Sequence, residues 1–107
     1  MANVYTNAKV DLTTTSVTTL YTAPALTTSI VSSILVSEDS GNADTITLTL
    51  TNSASAVFSL FKTKAVSANA TVELLTAPLV VQTGEILKAT AASSNRLHVV
   101  ASILEVT

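Results

Sequence analysis

Residues 44 to 52 read Asp-Thr-Ile-Thr-Leu-Thr-Leu-Thr-Asn, an unbroken two-residue alternation of hydroxyl and aliphatic side chains. Successive side chains of a strand point to opposite faces. Ile46, Leu48 and Leu50 therefore share one face, and Thr45, Thr47, Thr49 and Thr51 the other. This is a half-buried β-strand, dry on one side and hydroxyl-bearing on the other.

Much of the chain follows the same pattern. A first strand is expected over Val4 to Leu12, with Val4, Ala8, Val10 and Leu12 on one face and Lys9 and Asp11 on the other. Thr13 to Ser16 gives a turn, and Val17 to Thr22 a short strand that ends near Pro24. In Ser29 to Ser37, Ile30, Ile34 and Val36 share a face with Ser32, while Val31 and Leu35 point the other way. A strand apolar on both sides lies between layers or under a neighbouring subunit. Glu38 to Ala43 is the clearest turn, with Gly41 and Asn42 tolerant of positive φ. Further strands follow over Val57 to Lys64, Thr71 to Leu75, Leu79 to Val81, Ile86 to Ala92 and Leu97 to Val106. Ala65 to Ala70 comes nearest to a helix, but it is short and broken by Ser67 and Asn69. Eight or nine short strands, with turn signals about every ten residues, predict an all-β antiparallel β-sandwich of jelly-roll type.

The 107 residues fit a single domain spanning 1–107. Only 11% of them are charged, against about a quarter in ordinary soluble domains. No charge occurs from Leu12 to Ser37, and 19 Thr and 13 Ser carry the polar load. Charges are a common defence against association, so a chain this poor in them is expected to work as a homo-oligomer or within a larger assembly.

The net charge is −2 and the five basic residues are scattered, which excludes the clustered footprint of a nucleic-acid binder. The chain has no cysteine, hence no disulfide and no thiolate chemistry. The N-terminus lacks the basic start and apolar run of a signal peptide. The uncharged stretch from Leu12 to Ser37 is interrupted by Ser, Thr and Pro24, so no membrane span is expected. Synthesis as a soluble chain in a cytoplasm is the expectation.

Little points to chemistry. His98, the one histidine, falls mid-strand among apolar residues and reads as structural or interfacial, since no nucleophile elbow is present. Glu38, Asp39 and Asp44 bracket one turn without the spacing of a calcium loop, so they read as a solvated acidic turn. Glu73, Glu85 and Glu105 show no paired carboxylate. Two glycines, Gly41 and Gly84, are too few for a phosphate-cradling loop. Asn69-Ala70-Thr71 matches a glycosylation acceptor, a coincidence expected in a Thr-rich sequence. No catalytic, metal or cofactor residues are assigned, and the expectation is a non-enzyme. Phe58 and Phe61 fall on opposite strand faces, so either one is a core anchor and the other an interface anchor, or both are core.

Several segments together resemble a class of small bacteriophage virion structural proteins. Leu20-Tyr21-Thr22-Ala23-Pro24-Ala25 followed by Ser29-Ile30-Val31-Ser32-Ser33-Ile34 is similar to their opening, and the Thr alternation resembles their next strand. Glu73-Leu74-Leu75, Pro78-Leu79-Val80 and Thr83-Gly84-Glu85-Ile86-Leu87-Lys88 are similar to a later stretch. Asn95-Arg96-Leu97-His98-Val99 leading to Ile103-Leu104-Glu105-Val106 resembles the closing strand. The turn after Pro24 holds Ala-Leu-Thr where a Gly is usual, and Glu85 replaces a common Asp.

The resemblance covers about Thr19 to the C-terminus and implies a β-sandwich that builds into a capsid or tail as a symmetric oligomer, without catalytic residues. From it follows the expectation of a head decoration or cement protein, a trimer by preference, bound to the major capsid protein or other virion proteins. The alternative is a tail, baseplate or fibre component, with host carbohydrate as a ligand. The expected interface positions are Val31, Leu35, Phe58 and Val100 on two-faced strands, with Val4 and Tyr5 in an N-terminal arm. Residues 1 to 12 are expected to pair with another subunit.

Overall fold

Nine strands occupy most of residues 3–107, the part of the chain described by the structure, a computed structural model. They are β1 (Asn3–Leu12), β2 (Thr18–Thr22), β3 (Thr28–Glu38), β4 (Asp44–Thr51), β5 (Val57–Val66), β6 (Thr71–Glu73), β7 (Leu79–Val81), β8 (Ile86–Ala91) and β9 (Leu97–Val106). No helix occurs among the described residues.

The strands form two antiparallel sheets. The first runs β1-β9-β3, with β6 and β7 both on the far side of β3; the second runs β2-β8-β4-β5. β6 pairs with Leu35–Ser37 of β3 and β7 with Ser29–Val31, so the two are halves of one strand interrupted around Pro78. The chain changes sheet at every connection except β4 to β5 and the β6–β7 break. That wrapping, two Greek keys closed on one core, is a jelly roll.

The Thr alternation at 45–51 becomes β4 with its faces as expected through Thr49, while Leu50 is only partly buried and Thr51 is buried. Ile46 and Leu48 are fully buried opposite Ala91 and Ala89 of β8, and Thr47 and Thr49 lie on the outside beside Thr90 and Lys88. In β9, Leu97, Val99, Ala101 and Ile103 face inward and alternate with His98, Val100, Ser102 and Leu104. Leu12, Ile34, Val36 and Leu87 complete the centre, each worth about 1.5–3 kcal/mol on burial. The short piece Ala65–Ala70 is not helical: β5 continues to Val66 and Asn69 turns the chain at φ 57°.

Residues 3 to 12 form an edge strand of the domain's own first sheet, Asn3 to Leu12 pairing in continuous register with Val106 to Leu97. The first two residues lie outside the described part. One expectation is corrected at the level of the strands. In β3 the simple alternation fails, since the register with β9 shifts between Val31 and Ser33. Ser32 is the extra residue of a β-bulge, which reverses which side chains face the core on one side of it. Val31 is therefore fully buried inside, at 0% exposure, and Ile30 turns outward.

The acidic turn is also not simply solvated. Glu38 is 2% exposed, and its carboxylate accepts from the amides of Ser40 (2.8 Å), Gly41 (3.0 Å) and Asn69 (3.1 Å) and from the Ser40 hydroxyl. Gly41 can present its amide here because it holds φ at 83°, which disfavours a residue with a Cβ. Asp44 is also buried and caps the amides of Thr45 (2.8 Å) and Ser93 (3.1 Å). Only Asp39 of the three remains well exposed.

Candidate interaction face

Register partners on neighbouring antiparallel strands project to the same side, so the pairings define rows across each sheet. On the outer side of the first sheet, Tyr5 of β1 lies opposite Leu104 of β9, Leu104 opposite Ile30 of β3, and Ile30 opposite Val80 of β7. This apolar row spans the full width of the sheet. Tyr5 is 84% exposed at one end, and Val80 is half exposed at the other. A shallow concavity of about 400 Å³ beside the row is lined by Tyr5, Asn7, Ile30, Ser32, Ser102 and Leu104 among others.

A second row runs Lys9, Val100, Leu35, Glu73, placing Val100 directly against Leu35. Between the two rows lie Asn7, Ser102, Ser32 and Ser33, so the middle of the face carries hydroxyls and an amide but no charge. Glu73 is turned into the sheet. Its carboxylate accepts from the Ile34 amide at 2.8 Å, the Leu75 amide at 3.2 Å and the Ser33 hydroxyl, filling the gap opened by the bulge and the β6–β7 break. Burial pushes its pKa up, but the hydrogen bonds from Ser33, Ile34, Leu75 and Leu74 outweigh that and hold it below the usual carboxylate range.

The third row is Asp11, His98, Ser37, Thr71. His98 Nε2 lies 3.2 Å from Asp11 and Nδ1 lies 3.6 Å from Asp39. Both ring nitrogens thus face carboxylates. Ser37, the nearest hydroxyl across the strand, is bonded to Thr71 instead. No group of three or more carboxylate and imidazole ligands suited to a metal occurs among the described residues.

The opposite surface is different in kind. The outer face of the second sheet carries the row Thr19, Lys88, Thr49, Ser59, with Thr47 and Thr90 beside it. Hydroxyls dominate this face, although its next row, Thr22, Ile86, Thr51 and Val57, ends in an exposed Val57.

The six expected interface positions separate. Tyr5, Leu35 and Val100 come together on the outer face of the first sheet. Val4 points to the other side of β1, where exposure falls from 50% at Val4 to 0% at Leu12 as the strand passes under the second sheet. Val31 belongs to the core. Phe58 is half exposed on β5, the edge of the second sheet, while Phe61 packs against the core. Ile30 and Val80 were not among the expected positions. Simple alternation places Ile30 inside until the bulge is known, and no local signal ties Val80 to the same row.

Fold and surface together define a jelly-roll domain with one hydroxyl face and one apolar-striped face. No family model matches the chain, and no curated protein matches it. Among solved structures, it is similar to a chain of the virus-like particle of the extra small virus of the giant freshwater prawn Macrobrachium rosenbergii. The TM-score is 0.50 at 15% identity, over 97% of this chain and 77% of that one. A pentameric capsid protein isolated from metagenomic phage sequences gives 0.47 at 20% identity, covering 94% of this chain and 58% of that one. A chain of infectious bursal disease virus, Gt strain, gives 0.48 at 11%, covering 98% and 30%. The first of these likenesses is one of fold.

Proposed function

We propose that this chain is a non-enzymatic structural protein of a virus particle, held to neighbouring subunits through the outer face of its first sheet. The observation that carries the reading is the uncharged apolar row Tyr5–Leu104–Ile30–Val80, set across a jelly roll similar to that of the prawn virus particle protein. Exposed apolar groups arranged across a rigid sheet suit a partner that covers them, because burial returns the cost of leaving them in water.

Within that class, the role is head decoration or cement of a phage particle. A single small domain with two different faces suits a layer that grips the shell on one side and meets solvent on the other. Purified protein added to empty particles of the parent virus is expected to bind them and raise their melting temperature. Micrographs that place it on the tail, together with binding to host glycans and none to capsids, would overturn the cement role in favour of a tail or fibre component.

A further inference from the structure

Of the four sheet edges in this domain, three are blunted. β2 has five residues and a register shift between Thr19 and Tyr21. β5 carries two register shifts and a positive φ at Thr63. The β6–β7 edge is made of two three-residue pieces with Pro78 between them. Short, bulged and interrupted edges are the devices by which sheets avoid pairing with other chains. Of these devices β1 has only two charges, Lys9 and Asp11. It runs ten residues in continuous register with β9, contains no proline, and has no strand on its outer side among the described residues.

We infer that β1 pairs antiparallel with β1 of a second copy of this chain, about a two-fold axis at Val10. Lys9 and Asp11 stand two residues apart on the same outer face. A two-fold axis at Val10 sets Lys9 of each copy opposite Asp11 of the other, so one contact makes two ion pairs and turns Lys9 from a blunting device into a matching one. On the inner face the same register sets Val10 against Val10 and Ala8 against Leu12, so the paired stretch is Ala8 to Leu12, the C-terminal half of β1. Moving the axis to Ala8 sets Lys9 against Asn7 and Asp11 against Tyr5, and the charges lose their match. The contact is isologous and closes with two copies, joining the two first sheets into one. It does not depend on the virion reading, and failure of capsid binding leaves it standing.

Sedimentation of the purified chain tests it. The wild type is expected to be a dimer, with Lys9→Asp or Asp11→Lys each weakening it about tenfold. The double variant Lys9→Asp/Asp11→Lys is expected to restore the wild-type association. Recovery in the double variant is the diagnostic result, since Asp11→Lys alone also removes the His98 contact. A monomer at every concentration overturns the inference, and so does a trimer, which an isologous edge contact cannot form. A double variant no better than the single ones overturns the register. Should the variants fold poorly, amide exchange on the wild type decides: backbone amides along β1 are expected to gain protection as concentration rises, and unchanged protection overturns the pairing.

Discussion

Glu38 and Tyr21 show how polar side chains fasten a core made largely of aliphatic groups. Burial pushes the Glu38 carboxyl up, but the hydroxyl and amide of Ser40 and the amides of Asn69 and Gly41 more than compensate and hold its pKa at about 2. A carboxylate with a folded pKa below its ordinary 4.5 contributes stability that is present above 4.5 and is lost as the pH falls towards 2. Urea midpoints of the wild type are therefore expected to drop across that window, and those of Glu38→Gln to start lower and drop less. Tyr21 has the opposite sign. Burial and its 2.5 Å hydrogen bond to Glu105, together with the nearby negative charge, push the phenol up to about 12, against a smaller opposing effect of the Ser29 hydroxyl. Its contribution is complete below pH 10 and is lost as the pH rises through about 12. Tyr21→Phe is expected to cost about 1–2 kcal/mol at neutral pH and to flatten the alkaline limb of the stability curve.

At the scale of single strands, β4 and β3 make a contrast. The Thr alternation of β4 could be read directly, because period-two burial needs no knowledge of any partner strand. Leu48→Ala is accordingly expected to cost about 2–5 kcal/mol in denaturant unfolding, against about 0.5 kcal/mol or less for Thr49→Ala on the outer side. β3 could not be read this way. Its bulge at Ser32 is a shift in the register with β9, and on the other side of the strand Glu73, some forty positions along the chain, accepts from the Ile34 amide. Glu73→Ala is expected to leave that buried amide unpaired, at a cost of about 1–3 kcal/mol, measurable as a lowered urea midpoint. Hydrogen exchange of the Ile34 amide would speed up more than that of Val36.

For the whole molecule, the two outer faces set the behaviour. Leu35→Ser combined with Val100→Ser, at directly opposed exposed positions, is expected to leave melting within about 0.5 kcal/mol of wild type per site. If the first sheet's outer face is the docking surface, Tyr5→Ser should weaken capsid binding by about thirtyfold, the loss of one anchoring residue. Thr49→Ser on the hydroxyl face should do neither. Equal binding by the Tyr5 and Thr49 variants in a capsid pull-down would remove the first sheet from the interface.

Local pattern alone determined the all-β class, most strand boundaries and the inward side of β4 and β9, because side-chain alternation and turn residues act within a few positions along the chain. The solvated Glu38 and the shared face of Ile30 and Ile34 were wrong for a shared reason. Each depends on a partner far away in sequence: the Asn69 turn for Glu38, and the register with β9 for the bulge. The apolar row is likewise made of four residues on four strands, adjacent only once the sheets have formed. Tertiary structure decided these points because a hydrogen bond or contact between distant residues leaves no periodic trace in either segment.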